Sequence, residues 1–140
     1  MSEANKQIVR KIQAAWSEGR LGDLDQYFAS DFDNSTSALP GVPVGLAGAK
    51  MAHGVSAKSF PDRKTEIVDM MAEGDKVFMR TKVRGSNLGG APWIGAPDAD
   101  GKPYEIEGWS VYRFKDGKVV EHWGINDRYG LAMQLGAIKR

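Results

Sequence analysis

Asp127 closes a run, Glu121-His122-Trp123-Gly124-Ile125-Asn126-Asp127, that precedes a short helical pattern, Arg128 to Gly136. A carboxylate at the end of an apolar strand face, beside a tryptophan, is the best candidate for chemistry in the chain. In an apolar pocket, desolvation would disfavour the charged form of such a carboxylate and suit it to removing an acidic proton next to a carbonyl. The same position allows a second role, because an aspartate just before Arg128-Tyr129-Gly130 is also a favoured helix N-cap. Tyr112 and Ser110 are the hydroxyls that could assist such a base by polarising a substrate carbonyl. Tyr112 could equally be core with a satisfied hydroxyl. His53 is a possible proton donor on a helix whose facing the pattern leaves open. His122 alternates onto the opposite face from Asp127 unless a bulge intervenes, and so reads as a surface or dimer-interface residue. The two histidines show no His-x-His or Glu-x-x-His spacing, so no metal site is expected.

The faces follow from a hairpin. Asp116-Gly117, between two alternating apolar runs, signals a tight turn, so 103–114 and 118–127 are expected as long antiparallel strands. With a two-residue loop, 114 opposes 119, 112 opposes 121, 110 opposes 123 and 106 opposes 127. Alternation then puts Ile106, Gly108, Ser110, Tyr112, Glu121, Trp123, Ile125 and Asp127 on one face. Trp109, Val111, Val120, His122 and Asn126 take the other.

The remaining elements are expected in order. An amphipathic helix covers 3–18, with Ile8, Ile12, Ala15 and Trp16 at helical spacing, and Gly19 ends it. A short helix carries Leu21, Leu24, Tyr27 and Phe28, with Asp23 and Gln26 as a weak capping box. Residues 31–45 read as loop. A third helix runs from about Leu46 to Ser59, weakened by Gly48 and Gly54 and stopped by Pro61. Strands follow at 64–72 and 76–86, joined by the turn Glu73-Gly74-Asp75-Lys76, then a loop from Gly85 to Gly101 and a final helix from Arg128 to Gly136. In the second of these strands Val77, Met79, Thr81 and Val83 share one face, and Phe78, Arg80, Lys82 and Arg84 the other. Helices first and a strand meander afterwards describe one α+β domain over 1–140, with helices on one face of a curved antiparallel sheet.

Trp16, Tyr27, Phe60, Met79 and Trp123 would line an apolar cavity or fill the core. Trp93, in a Gly/Pro-rich loop, is suited to covering a pocket mouth or a partner surface. The sheet's second face mixes aromatics with Arg80, Lys82 and Arg84. A symmetric homodimer would bury it, with the arginines paired to Glu105 or Glu107 across strands.

Bulk composition excludes some classes. The net charge is +1, from 19 basic and 18 acidic residues, so nothing draws the chain to nucleic acid or an anionic membrane. No apolar run reaches the ~20 residues of a spanning helix. The polar N-terminus lacks a signal-peptide core and cysteine is absent, so a cytoplasmic location is the default.

Several segments taken together resemble the SnoaL-like polyketide cyclases of the nuclear transport factor 2-like superfamily. They are Phe60-Pro61-Asp62, Ala72-Glu73-Gly74-Asp75-Lys76-Val77, Arg84-Gly85, the run Tyr112 to Trp123, and Gln134-Leu135-Gly136-Ala137. The resemblance implies a cone-shaped α+β fold around an apolar pocket, commonly dimeric. It implies an intramolecular aldol or related isomerisation on a hydrophobic carbonyl substrate, without metal or cofactor. By spacing after Glu121-His122-Trp123, the family's acid/base aspartate falls on Asp127. The chain departs from the family at Thr81, Ser86-Asn87 and Ser110, where other residues are frequent. The alternatives are a ketosteroid isomerase-like or epoxide hydrolase-like enzyme, the latter needing Glu121 as second carboxylate, or a small-molecule-binding domain without chemistry.

Overall fold

The computed structural model describes residues 2–34 and 41–138. Helix α1 (Ser2–Glu18) presents Val9, Ile12 and Ala15, all fully buried, to the sheet. It ends where expected. Gly19 takes φ +71°, and the Arg20 N–H closes on the Ala15 carbonyl at 2.9 Å, the left-handed stop that glycine adopts without strain. Leu21–Gln26 forms a 3₁₀ turn rather than a helix. Its expected capping box is absent, because the Asp23 carboxylate pairs with Arg20 and Gln26 Nε2 bonds the Asp23 carbonyl.

Strand β1 (Phe28–Asp33) occupies sequence that had read partly as helix and partly as loop. Phe28 and Phe32 are buried edge to face, and β1 pairs parallel with β5. Of the expected 31–45 loop, residues 35–40 lie outside the described residues. Helix α2 (Leu46–Ser59), β2 (Lys64–Glu73) and β3 (Lys76–Ser86) match their expected bounds within a residue. Strand β4 (Pro103–Lys115), β5 (Lys118–Asn126) and α3 (Arg128–Gln134) complete the chain. The five strands form one sheet in the order β1-β5-β4-β3-β2, antiparallel apart from β1.

Both two-residue turns, Gly74-Asp75 and Asp116-Gly117, form as expected. Gly74, Asp116 and Gly117 all have positive φ, the conformation that matches a hairpin's twist. The β4–β5 register, however, slips by one residue beyond the turn. Phe114 opposes Val119, but Arg113 opposes Glu121, so Val120 is an extra residue in β5. Continued alternation would have turned the Glu121 carboxylate onto the buried face, where an unpaired charge is costly. The bulge turns it outward instead, against the Arg113 guanidinium.

The slip exchanges the faces of β5. Tyr112 opposes His122, Ser110 opposes Gly124 and Gly108 opposes Asn126, so His122, Gly124 and Asn126 join the helix-covered wall with Val77 and Met79. Glu121, Trp123 and Ile125 lie on the outer face with Phe78, Trp109 and Val111. The face assignment that grouped Trp123, Ile125 and Asp127 with Tyr112 is therefore corrected.

Two apolar clusters form the core. One joins α1 to β1, β3, β4 and β5 through Val9, Ile12, Phe28, Val77, Tyr112 and Val119. The other joins Phe60, Tyr104, Ile106, Leu131 and Leu135. The loop between β3 and β4 is organised by fully buried Asn87. Its amide donates to the carbonyls of Ala96 and Asp98, and its Oδ1 accepts from the Gly90 N–H at 2.9 Å. Helix α3 docks through Gln134, whose side-chain amide makes paired bonds of 2.7 and 3.0 Å with the Glu105 backbone.

Candidate functional site

His53 is held by two neighbouring elements. It projects from α2 onto Trp16 of α1, with ring centroids 4.9 Å apart, and its Nε2–H donates to the Trp16 carbonyl at 2.9 Å. That bond fixes the Nε2–H tautomer of the neutral ring and leaves Nδ1 as the proton acceptor. Desolvation pulls the His53 pKa below its ordinary value and the nearby Arg63 charge adds to this, outweighing the opposite effect of the Trp16 carbonyl. The imidazole is therefore neutral at pH 7.

Ser110 and Tyr112 do share one wall, with His122 rather than with Asp127. Tyr112 is fully packed in the core, and burial holds its phenol far above the ordinary range, so it stays a neutral hydroxyl. Ser110, half-buried opposite Gly124, is the more accessible hydroxyl. The His122 ring lies 4.6 Å from that of Tyr112, and desolvation lowers its pKa to about 4. The surface reading of His122 is thus corrected, by the bulge that had been the stated exception to it. Thr81 closes the wall, its hydroxyl donating to the Gly108 carbonyl at 3.1 Å.

Asp127 stands elsewhere. It is exposed and caps α3, accepting the Gly130 N–H at 2.8 Å, at the rim of an outer-face groove of about 340 Å³ with Trp109, Trp123 and Ile125. A methyl on Gly130 would overlap the capping carboxylate. The geometry expected for a desolvated base is absent there, and the N-cap role is the one observed. Glu121 is likewise on the outer face with Arg113, so the second carboxylate of an epoxide hydrolase is not available on the inner wall.

The aromatic candidates divide. Trp16 and Tyr27 are half-buried against the first core cluster, whereas Met79 and Phe60 are core residues at 3% and 2% exposure. Trp123 is on the outer face. Trp93 pins its loop to α2, donating to Ser59 Oγ at 2.8 Å and resting edge-on against Phe60, with Arg128 over its ring. Arg63, beside His53, was missed by sequence reasoning. Its signal was weak, a basic residue following Phe60-Pro61-Asp62, where the chain turns back beneath α2. Among the described residues no three His, Asp or Glu side chains gather as a metal-ligand set, and no helix is long and apolar enough to cross a membrane.

The profile of the SnoaL-like polyketide cyclases matches residues 6–135. The chain belongs to this family. Among solved structures, TsrD from Streptomyces laurentii is 27% identical, with 97% of each chain covered and a TM-score of 0.83. IdmH from Streptomyces antibioticus, a proposed polyketide cyclase, is 27% identical over 94% of this chain and 98% of its own, with a TM-score of 0.82. AclR from Streptomyces galilaeus, a proposed hydroxylase, is 25% identical over 100% of this chain and 89% of its own, with a TM-score of 0.85. Comparison with curated proteins finds no match. The α+β architecture of curved sheet and covering helices is the family's own.

Proposed function

We propose that this family member catalyses proton transfer next to the carbonyl of a hydrophobic small molecule, as in an intramolecular aldol closure or a related isomerisation, with His53 as the base. The observation that carries this reading is the Nε2–H bond of His53 to the Trp16 carbonyl, which leaves Nδ1 as the acceptor of a neutral, half-buried imidazole. The bond orients the ring and stabilises the imidazolium as it forms, as a histidine base requires. Ser110 is the accessible hydroxyl for the developing enolate, and Trp16 supplies apolar surface. Such chemistry needs no cofactor. Asp127 acts as a helix cap. The homodimer is part of this reading, because Trp109 at 55% and Ile125 at 78% exposure leave the outer sheet face open.

The test is deuterium exchange at the α-carbon of 2-tetralone in D₂O, followed by NMR. His53→Gln should abolish catalysed exchange and Asp127→Asn should retain it. Since desolvation and the Arg63 charge lower the His53 pKa, exchange should be full at pH 8 and be lost on acidification at a lower pH than a free histidine would give. Loss of exchange in Asp127→Asn with His53→Gln intact would return the base to Asp127.

A second reading, binding without chemistry, is favoured by one observation. The inner sheet wall carries no carboxylate among the described residues. Saturable binding of 2-tetralone with no exchange would select it.

A further inference from the structure

Among the described residues, three arginines are partly withdrawn from solvent: Arg63, Arg80 and Arg113. Two are neutralised within the sheet, Arg80 by Glu107 at 3.4 Å and Arg113 by Glu121 and Asp75. Among the described residues, Arg63 meets no carboxylate within ion-pair distance. Its Nη1 donates to Ser56 Oγ on α2 at 2.5 Å, and its other neighbours, His53 and Tyr104, are neutral. The adjacent Asp62 is turned away, its Oδ1 accepting the Ser86 N–H at 2.9 Å.

This arrangement is maintained by local construction. Gly85 sits where a methyl would press on the Arg63 Cα at 3.3 Å and on the Tyr104 hydroxyl at 3.0 Å, so β3 leaves room for both groups. Burial pushes the Tyr104 phenol up to about 12, so it remains a hydroxyl and cannot neutralise the guanidinium. Burial also draws the Arg63 pKa down, the mark of a charge lacking compensation. A partly buried cation is costly unless paired, and a guanidinium fork suits a carboxylate bidentately.

We infer that Arg63, with Ser56 and His53, forms an anion subsite that receives the carboxylate of an otherwise apolar ligand. A single guanidinium with one hydroxyl partner matches a monoanion rather than a phosphate dianion. The half-buried ring of Trp16, against His53, suits an apolar body. The inference rests on the reading of this region as a ligand site, but not on proton transfer there.

Two probes of matched shape test it, 2-naphthoate and the uncharged 2-acetonaphthone, titrated by NMR into the intact protein. Wild type should bind 2-naphthoate saturably, and the Arg63 Nε–Hε signal should move with the acid but not with the ketone. Arg63→Met should weaken 2-naphthoate at least about tenfold, a change of ~1.4 kcal/mol, and leave the ketone unchanged. Arg63→Lys, which keeps the charge, should retain part of the affinity. If Arg63→Met fails to fold, the wild-type Nε–Hε response and Arg63→Lys decide. The inference is overturned if 2-naphthoate does not bind wild type, binds without moving the Arg63 signal, or binds Arg63→Met equally well. Ketone binding in those cases would leave the ligand-site reading standing, and loss of both probes would remove it too.

Discussion

Asp127 and His122 show how much a single residue's role depends on which way its backbone turns. Asp127 was legible as an aspartate that could be base or cap, and the structure shows the cap bond, from the Gly130 N–H. Asp127→Ala should therefore cost about 1 kcal/mol of stability in a urea titration, and Asp127→Asn only a few tenths, since asparagine caps nearly as well. His122 is the reverse case, a residue read as superficial that lies against Tyr112. It is neutral when folded, with a pKa of about 4, and in the unfolded chain it takes up a proton near 6.5. Protonation thus favours the unfolded chain as pH falls from 6.5 to about 4, and stability present above 6.5 is lost by up to roughly 3 kcal/mol. His122→Phe should show a smaller drop in Tm between pH 7 and pH 4.5 than wild type, measured by circular dichroism.

At the scale of the element, turns and periods were readable and register was not. Asp116-Gly117 and Gly74-Asp75 announced their hairpins, because few residues accept positive φ. The bulge at Val120 had a signal in the sequence, the Glu121 carboxylate in the middle of an apolar face with Arg113 one residue out of step across the strand pair. Strand β1 was hidden because Phe28 and Phe32, four residues apart, also fit a helical face. The glycines of α2 carry different meanings despite equal helix propensity. Gly48 lets the Pro43 backbone rest on the helix, and a methyl there would overlap its carbonyl, whereas Gly54 faces open space. Gly48→Ala should destabilise by about 2 kcal/mol through overpacking. Gly54→Ala should stabilise by roughly 0.5–1 kcal/mol, because alanine is the better helix former. Thermal melts of the two variants would display the opposite signs.

For the whole molecule, the outer sheet face is the unfinished surface. Trp109, Ile125 and Met71 stand open beside ion pairs of Arg80 with Glu107 and Arg84 with Glu105, the cross-strand pairs expected from the sequence. A second copy of the chain would find the same mixture of aromatic and charged groups opposite it. Sedimentation should give a dimer for wild type and a monomer for Trp109→Glu, whose charge lies where the two faces would meet. Fold class could be reached from the sequence because it is set by periods and turns spread along the chain. The candidate site was legible only in part: His53 and Trp16 were named from the sequence, but their grouping with Arg63 was not, because the three come together only once α1, α2 and the start of β2 are packed.

Gln134 carries a consequence for the chain in concentrated solution. Strand β4 runs on past the end of β5, so near Glu105 one side of it has no neighbouring strand, and the Gln134 amide takes both backbone groups there. One side chain thereby does the work of a missing strand. Without it, the protruding end of β4 would offer its bare donor and acceptor to any passing extended segment, the usual first step of sheet-to-sheet aggregation.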